Sequence, residues 1–154
     1  MMGQIYSEAK TVGIWVGEAD PGICVALKVL DELGRQLLNL PDEADRIQRA
    51  DDVFESMWAK ANPSRGPTSR SRPVHLFKSL ATVPWCARVW TLQEVALARE
   101  AWVHCGEVRA LWDVMDFAVT HLKNAEIRAT GTGQSITILA VAIAGHSDSR
   151  RAIV

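Results

Sequence analysis

A chain of 154 residues is long enough to bury about 70% of its unfolded surface around a single core. Its 48% hydrophobic and 23% charged residues strike an ordinary globular balance, and a formal net charge of -1 gives no overall reason to expect nucleic acid or an acidic membrane as a partner. The three cysteines, Cys24, Cys86 and Cys105, are scattered and include no CxxC pair, so no zinc site or disulfide framework is expected and a reducing, cytoplasmic setting is.

The opening MMGQIYSEAK lacks the basic-then-apolar order of a signal peptide and reads as the end of a helix, with Ile5, Tyr6 and Ala9 on one side. TVGIWVG is short, β-branched and apolar on both faces, the pattern of a strand buried between two helical layers. A turn, GEADPG, follows it. Residues 23–40 place Ile23, Leu27, Leu30 and Leu37 at helical spacing before Pro41 stops the helix. Residues 42–60 carry early acids and a narrow apolar stripe of Ile47, Phe54 and Trp58, predicting a largely solvated helix.

NPSRGPTSRSRP, residues 62–73, is a basic Pro/Ser/Gly segment expected to form a mobile surface loop. VHLFKSLATV predicts a short helix running into Pro84, and PWCARVWTLQEVALAR a longer one with that proline in its first turn. AWVHCG reads as a second strand, and residues 112–125 as an amphipathic helix with Trp112, Met115, Val119 and Leu122 on one face. Beyond about residue 126 the pattern dissolves, and ITILAVAIA is about half the roughly 20 residues a membrane-spanning helix requires. The element order implies an α/β layered fold with a parallel sheet. Only two strands are legible, which is too few to be sandwiched between helices.

PWCARVWTLQEVALAR raises a question of its own, because Glu94 sits in the most hydrophobic neighbourhood of the chain. At about 100° per residue Trp85, Val89, Leu92 and Ala96 form one stripe, and Glu94 falls on the opposite side beside Trp90 and the small residues Ala87, Thr91 and Ala98. Such a face suits a second packing surface or a pocket. Arg88 is placed to pair with a carboxylate, and Asp20 lies after the first strand, where α/β sheets place ligands, although a turn residue before Pro21 explains it equally. Cys86 with His75 or His104 forms no recognisable nucleophile pair, His104-Cys105 lacks the companions of a metal site, and GTGQS lacks the spacing of a phosphate loop.

Three blocks in order, GQIYSEAKTVGIWVGEAD, PWCARVWTLQEVALAR and a strand ending in CG before a Trp-led helix, resemble the HET (heterokaryon incompatibility) domain of filamentous fungi over residues 3 to about 120. That family carries an upstream SYVWG-like strand and a DALCINQ-like strand that this sequence lacks. The resemblance therefore implies that residues 1–125 are the C-terminal portion of such a domain, an incomplete TIR-like (flavodoxin-like) parallel sheet flanked by helices, with 126–154 as a tail. It further implies fungal non-self recognition and programmed cell death, with self-association or other death-signalling proteins as partners and no membrane or nucleic acid.

Some TIR domains cleave NAD with the glutamate of a W-x-x-x-E helix, a spacing matched by Trp90 and Glu94. By that resemblance Glu94 is the catalytic candidate, Trp90, Arg88 and Asp20 line the NAD side, NAD is a substrate, and no cofactor or metal is required. The bland alternative for Glu94 is a structural ion pair that orients its helix. Activity, on this view, belongs to the complete domain, and the alternatives are a self-associating adaptor or a truncated copy without function.

Overall fold

The computed structural model describes residues 8–61, 80, 83 and 95–130. Their order is β1 (Val12–Trp15), α1 (Pro21–Leu38), α2 (Glu43–Ala61), β2 (Ala101–Cys105), β3 (Val108–Leu111) and α3 (Trp112–Thr130). The predicted loop at 62–73, all but residues 80 and 83 of the short helix before Pro84, residues 84–94 of the helix expected after it and the region from 131 onward lie outside the described residues.

The α/β layering expected from the sequence is present, but the sheet is mixed. β1 pairs with β2 in parallel, Ile14 opposite Val103, and β2 pairs with β3 antiparallel, Val103 opposite Ala110. The strand that sequence reading passed over is β3. Gly106 and Glu107 form a two-residue hairpin loop in which Gly106 has φ +56, and among the described residues no non-glycine residue has a positive φ. Those signs fit a type II′ turn, which takes glycine first. A Cβ on Gly106 would also lie 2.9 Å from the Cβ of Ala19, so the residue must be small as well as left-handed.

Strand alternation then sorts the side chains. Val12 and Ile14 of β1, Ala101, Val103 and Cys105 of β2 and Ala110 of β3 are buried on one face. Trp15, Trp102, His104 and Arg109 stand on the other, and Trp15 is 57% exposed. The expectation that β1 is buried on both faces is therefore corrected. Its apolar run hid an alternation, because Gly13 has no side chain and Trp15 faces outward with Arg109 stacked on its neighbour Trp102 at 5.0 Å.

The described helices build two further layers. α1 and α3 touch the sheet, whereas α2 packs on α1 and α3 and reaches the strands little. α1 buries Leu27, Leu30, Leu33 and Leu37, so its predicted stripe holds except that Ile23 is half-buried. It begins at Pro21 because Asp20 caps it and ends where the Asn39 N–H donates back to the Leu37 carbonyl. α2 buries only Ile47, Ala50 and Phe54, so two residues of its predicted stripe hold while Trp58 is half-buried, and Arg46 Nε ties its first turns to the Leu40 carbonyl at 2.9 Å. α3 buries the predicted Trp112, Met115, Val119 and Leu122 and continues to Thr130, beyond the boundary expected near residue 125. Buried His121 links α3 to α2, its Nδ1 on the Phe117 carbonyl at 2.8 Å and its Nε2 3.5 Å from Glu43 Oε1.

The layers close where α1 crosses α3. A Cβ at Gly34 would lie 2.5 Å from Cγ1 of Val114 and closer still to the Val114 carbonyl oxygen. Backbone meets backbone there, and no side-chain rotation relieves it. Gly34→Ala is expected to lower the unfolding free energy by about 1–3 kcal/mol through overpacking, although the same change in a solvated helix gains up to about 1 kcal/mol. Urea titration of the two proteins checks the sign.

Candidate functional site

In open α/β sheets, ligands sit outside the carboxyl ends of parallel strands. The only parallel pair among the described residues is β1–β2, and its carboxyl ends are tied together. The Val16 N–H donates to the His104 carbonyl at 2.9 Å and the Gly106 N–H to the Gly17 carbonyl at 3.3 Å. The β1–α1 loop and the β2–β3 turn thus lie side by side as one rim. Gly17, with φ +139, turns the chain out of β1 in a conformation that few side chains tolerate.

Asp20 is on this rim, as its position after the first strand predicts. Its Oδ1 accepts the Ile23 N–H at 2.9 Å and its carbonyl accepts the Cys24 N–H at 2.9 Å, with Pro21 in the first helical position. This is an N-cap: an extended residue whose carboxylate satisfies one of the orphan donors of α1. The turn reading of Asp20 thus has a visible physical basis.

Two cysteines that the sequence keeps 81 residues apart meet just behind the cap. Cys24, half-buried in the first turn of α1, has its Sγ 3.5 Å from the Sγ and 3.5 Å from the carbonyl oxygen of Cys105. Cys105, fully buried at the end of β2, directs its own thiol to the Glu18 carbonyl at 3.3 Å. Burial and the neighbouring Cys105 push the Cys24 thiol above its ordinary value, and the nearby Lys28 ammonium works against that rise. Linear spacing gives no hint of this pair. Its signal was positional, one cysteine closing a strand and the other opening the helix after the adjacent strand. His104 precedes Cys105 and so points to the opposite face of the sheet.

Glu94, Trp90, Arg88, Cys86 and His75 lie outside the described residues. Immediately after Glu94, Val95 is helical and fully buried, and Ala98 is buried as well. Among the described residues no group of three His, Cys, Asp or Glu side chains is arranged to hold a metal ion, and no helix is long and apolar enough to cross a membrane. An open groove between α1 and α2, lined by Gln36, Arg49, Asp52 and Lys60, lies well away from the rim, since Gln36 is about 24 Å along α1 from Asp20 at 1.5 Å per residue.

If Asp20 acts as a cap, Asp20→Ala should destabilise the protein by about 1 kcal/mol and Asp20→Asn should leave it nearly unchanged. Equal destabilisation in both variants, read from denaturant midpoints, would mean that the charge matters and not the hydrogen bond.

Searches among curated proteins and among solved structures found no match. The family model described as heterokaryon incompatibility protein (HET) matches residues 1–94. That span takes in β1, the capped loop, α1, α2 and the W-x-x-x-E block that ends at Glu94. With more than half of its length so matched, the chain belongs to the heterokaryon incompatibility (HET) family.

Proposed function

We propose that this chain contributes to fungal non-self recognition and programmed cell death by cleaving NAD as part of a complete HET domain, with Glu94 as the catalytic carboxylate. The observation that carries the reading is membership of the family through residues 1–94, a span that includes Trp90-Thr91-Leu92-Gln93-Glu94. The bond broken joins the ribose C1′ to the nicotinamide nitrogen. Nicotinamide leaves with the electron pair, the ribosyl carbon develops oxocarbenium character, and water completes the hydrolysis. A fixed carboxylate stabilises that cation as it forms. Trp90, four residues before Glu94, walls the pocket in this reading, and Arg88 and the Asp20 loop contribute to its NAD side.

The bottom-up case for a carboxylate at this point rests on its surroundings. An acid in an apolar run is costly unless it is partnered or functional. The buried Val95 and Ala98 that follow show how apolar that run is where it is described. Support for the crevice comes from the parallel β1–β2 pair, whose carboxyl ends form a single rim.

A second reading, an adaptor acting by self-association, is favoured by the edge of the sheet. Val12 and Val16 bond to β2, so Gly13 and Trp15 between them turn their backbone groups to an edge that no described strand covers. Such an edge templates pairing with another chain unless it is blunted.

In fungal cells expressing the complete domain, NAD should fall before viability does, and Glu94→Gln should slow that loss at least about 100-fold, the usual scale for removing one transition-state electrostatic partner. Unchanged NAD turnover in the folded variant would remove Glu94 from the chemistry. For the adaptor, sedimentation should show association at micromolar concentration that Trp15→Lys abolishes. Identical sedimentation of both proteins would dismiss the β1 edge as the contact.

A further inference from the structure

We propose that Cys24 and Cys105 form a redox-sensitive dithiol whose oxidation to a disulfide locks the rim of the sheet, fastening the first turn of α1 to the end of β2. The proposal is independent of NAD chemistry and rests on geometry. The two sulfurs are 3.5 Å apart with no residue between them. A disulfide needs about 2.05 Å, so the sulfurs must approach by about 1.5 Å. Both thiols are free.

The two sulfurs are not equivalent. Cys24 is half-buried and Cys105 has no exposed surface, so an oxidant in solution meets Cys24 first. Cys105 donates to the Glu18 carbonyl, which holds its sulfur beside Cys24. With glutathione disulfide as the oxidant, the Cys24 thiolate attacks one glutathione sulfur, forming a mixed disulfide and expelling one glutathione thiolate. The Cys105 thiolate then attacks the Cys24 sulfur and expels the second. The protein loses two electrons and two protons, and one glutathione disulfide becomes two glutathione thiols.

The environment sets the pace. Burial and Cys105 hold the Cys24 thiol above its ordinary value, Asp20 adds to this, and Lys28 opposes it. Little thiolate is present near neutrality, so the exchange is slow there and accelerates as pH rises through and beyond the ordinary thiol range.

What the link would hold is specific. It spans the β1–α1 loop and the β2–β3 turn, which are otherwise joined by the Val16-to-His104 and Gly106-to-Gly17 backbone bonds, the Cys105 thiol on the Glu18 carbonyl and the close approach of Gly106 to Ala19. These segments lie at the carboxyl ends of the parallel strands, so oxidation fastens them to each other.

The test uses the chain with Cys86→Ser, kept dilute, incubated with glutathione disulfide and quenched with an alkylating reagent. Oxidised protein should lose about 2 Da, take up no alkyl groups, and yield tryptic peptides 11–28 and 100–109 joined to each other. Its melting temperature should rise by about 5 °C or more and return on reduction, because the link closes a long loop. Cys24→Ser should abolish both changes. Three results would overturn the proposal: a stable glutathione adduct on Cys24 that Cys105 never displaces, a link between two chains, or an internal link that leaves the melting temperature unchanged. Should Cys86→Ser fail to fold, the same peptide map on the unaltered chain decides the matter, since Cys86 falls in the separate peptide 79–88.

Discussion

The parallel pairing of β1 with β2 is the constraint on which the rest of this structure depends. Parallel strands cannot be joined by a tight turn, so the chain must leave β1 at one end of the sheet and return to begin β2 at the other. α1 and α2 belong to that excursion, and they use it to lay an apolar stripe on the sheet and a second layer on top. The same pairing brings Val16 to His104 and Gly17 to Gly106. The Asp20 cap is local to its helix, but the meeting of Cys24 and Cys105 exists because two segments distant in sequence end at the same level. Such contacts close long loops before they gain any burial, and they form slowly compared with local helix contacts.

Much of this was legible in the sequence where periodicity was strong. Leu27, Leu30 and Leu37 of α1, Ile47 and Phe54 of α2, and Met115, Val119 and Leu122 of α3 were placed on their buried faces by spacing alone. The failures have physical causes. β3 is four residues long and carries Arg109 in its middle, so nothing in its composition exceeds the background, and only the Gly106-Glu107 loop announced it. β1 looked apolar on both sides because a glycine and a tryptophan occupy its outer positions. Hydrophobic character alone cannot separate a tryptophan buried in a core from one that covers an open sheet face.

The candidate site was legible in a different measure. Position after a strand put Asp20 at the rim, and its cap followed from the ordinary preference for Asp before a proline-led helix. No rule of spacing could have joined Cys24 to Cys105, because their proximity is a product of strand register and not of sequence distance. The block around Glu94 was singled out by the opposite kind of signal, a local conflict between a charged residue and its apolar surroundings. Local conflicts of that kind are where sequences depart from packing rules for a reason. Family membership over residues 1–94 now gives that block a context that composition could not supply.

The junction at Leu111 and Trp112 has a mechanical corollary. β3 passes into α3 with no intervening residue, and the Leu111 N–H reaches Asp31 of α1 at 3.4 Å. With no linker residue between them, the last residue of the strand sets the rotational phase of the helix. Lengthening the elbow by a single residue would swivel α3 about 100° around its own axis and carry Met115, Val119 and Leu122 out of the interior.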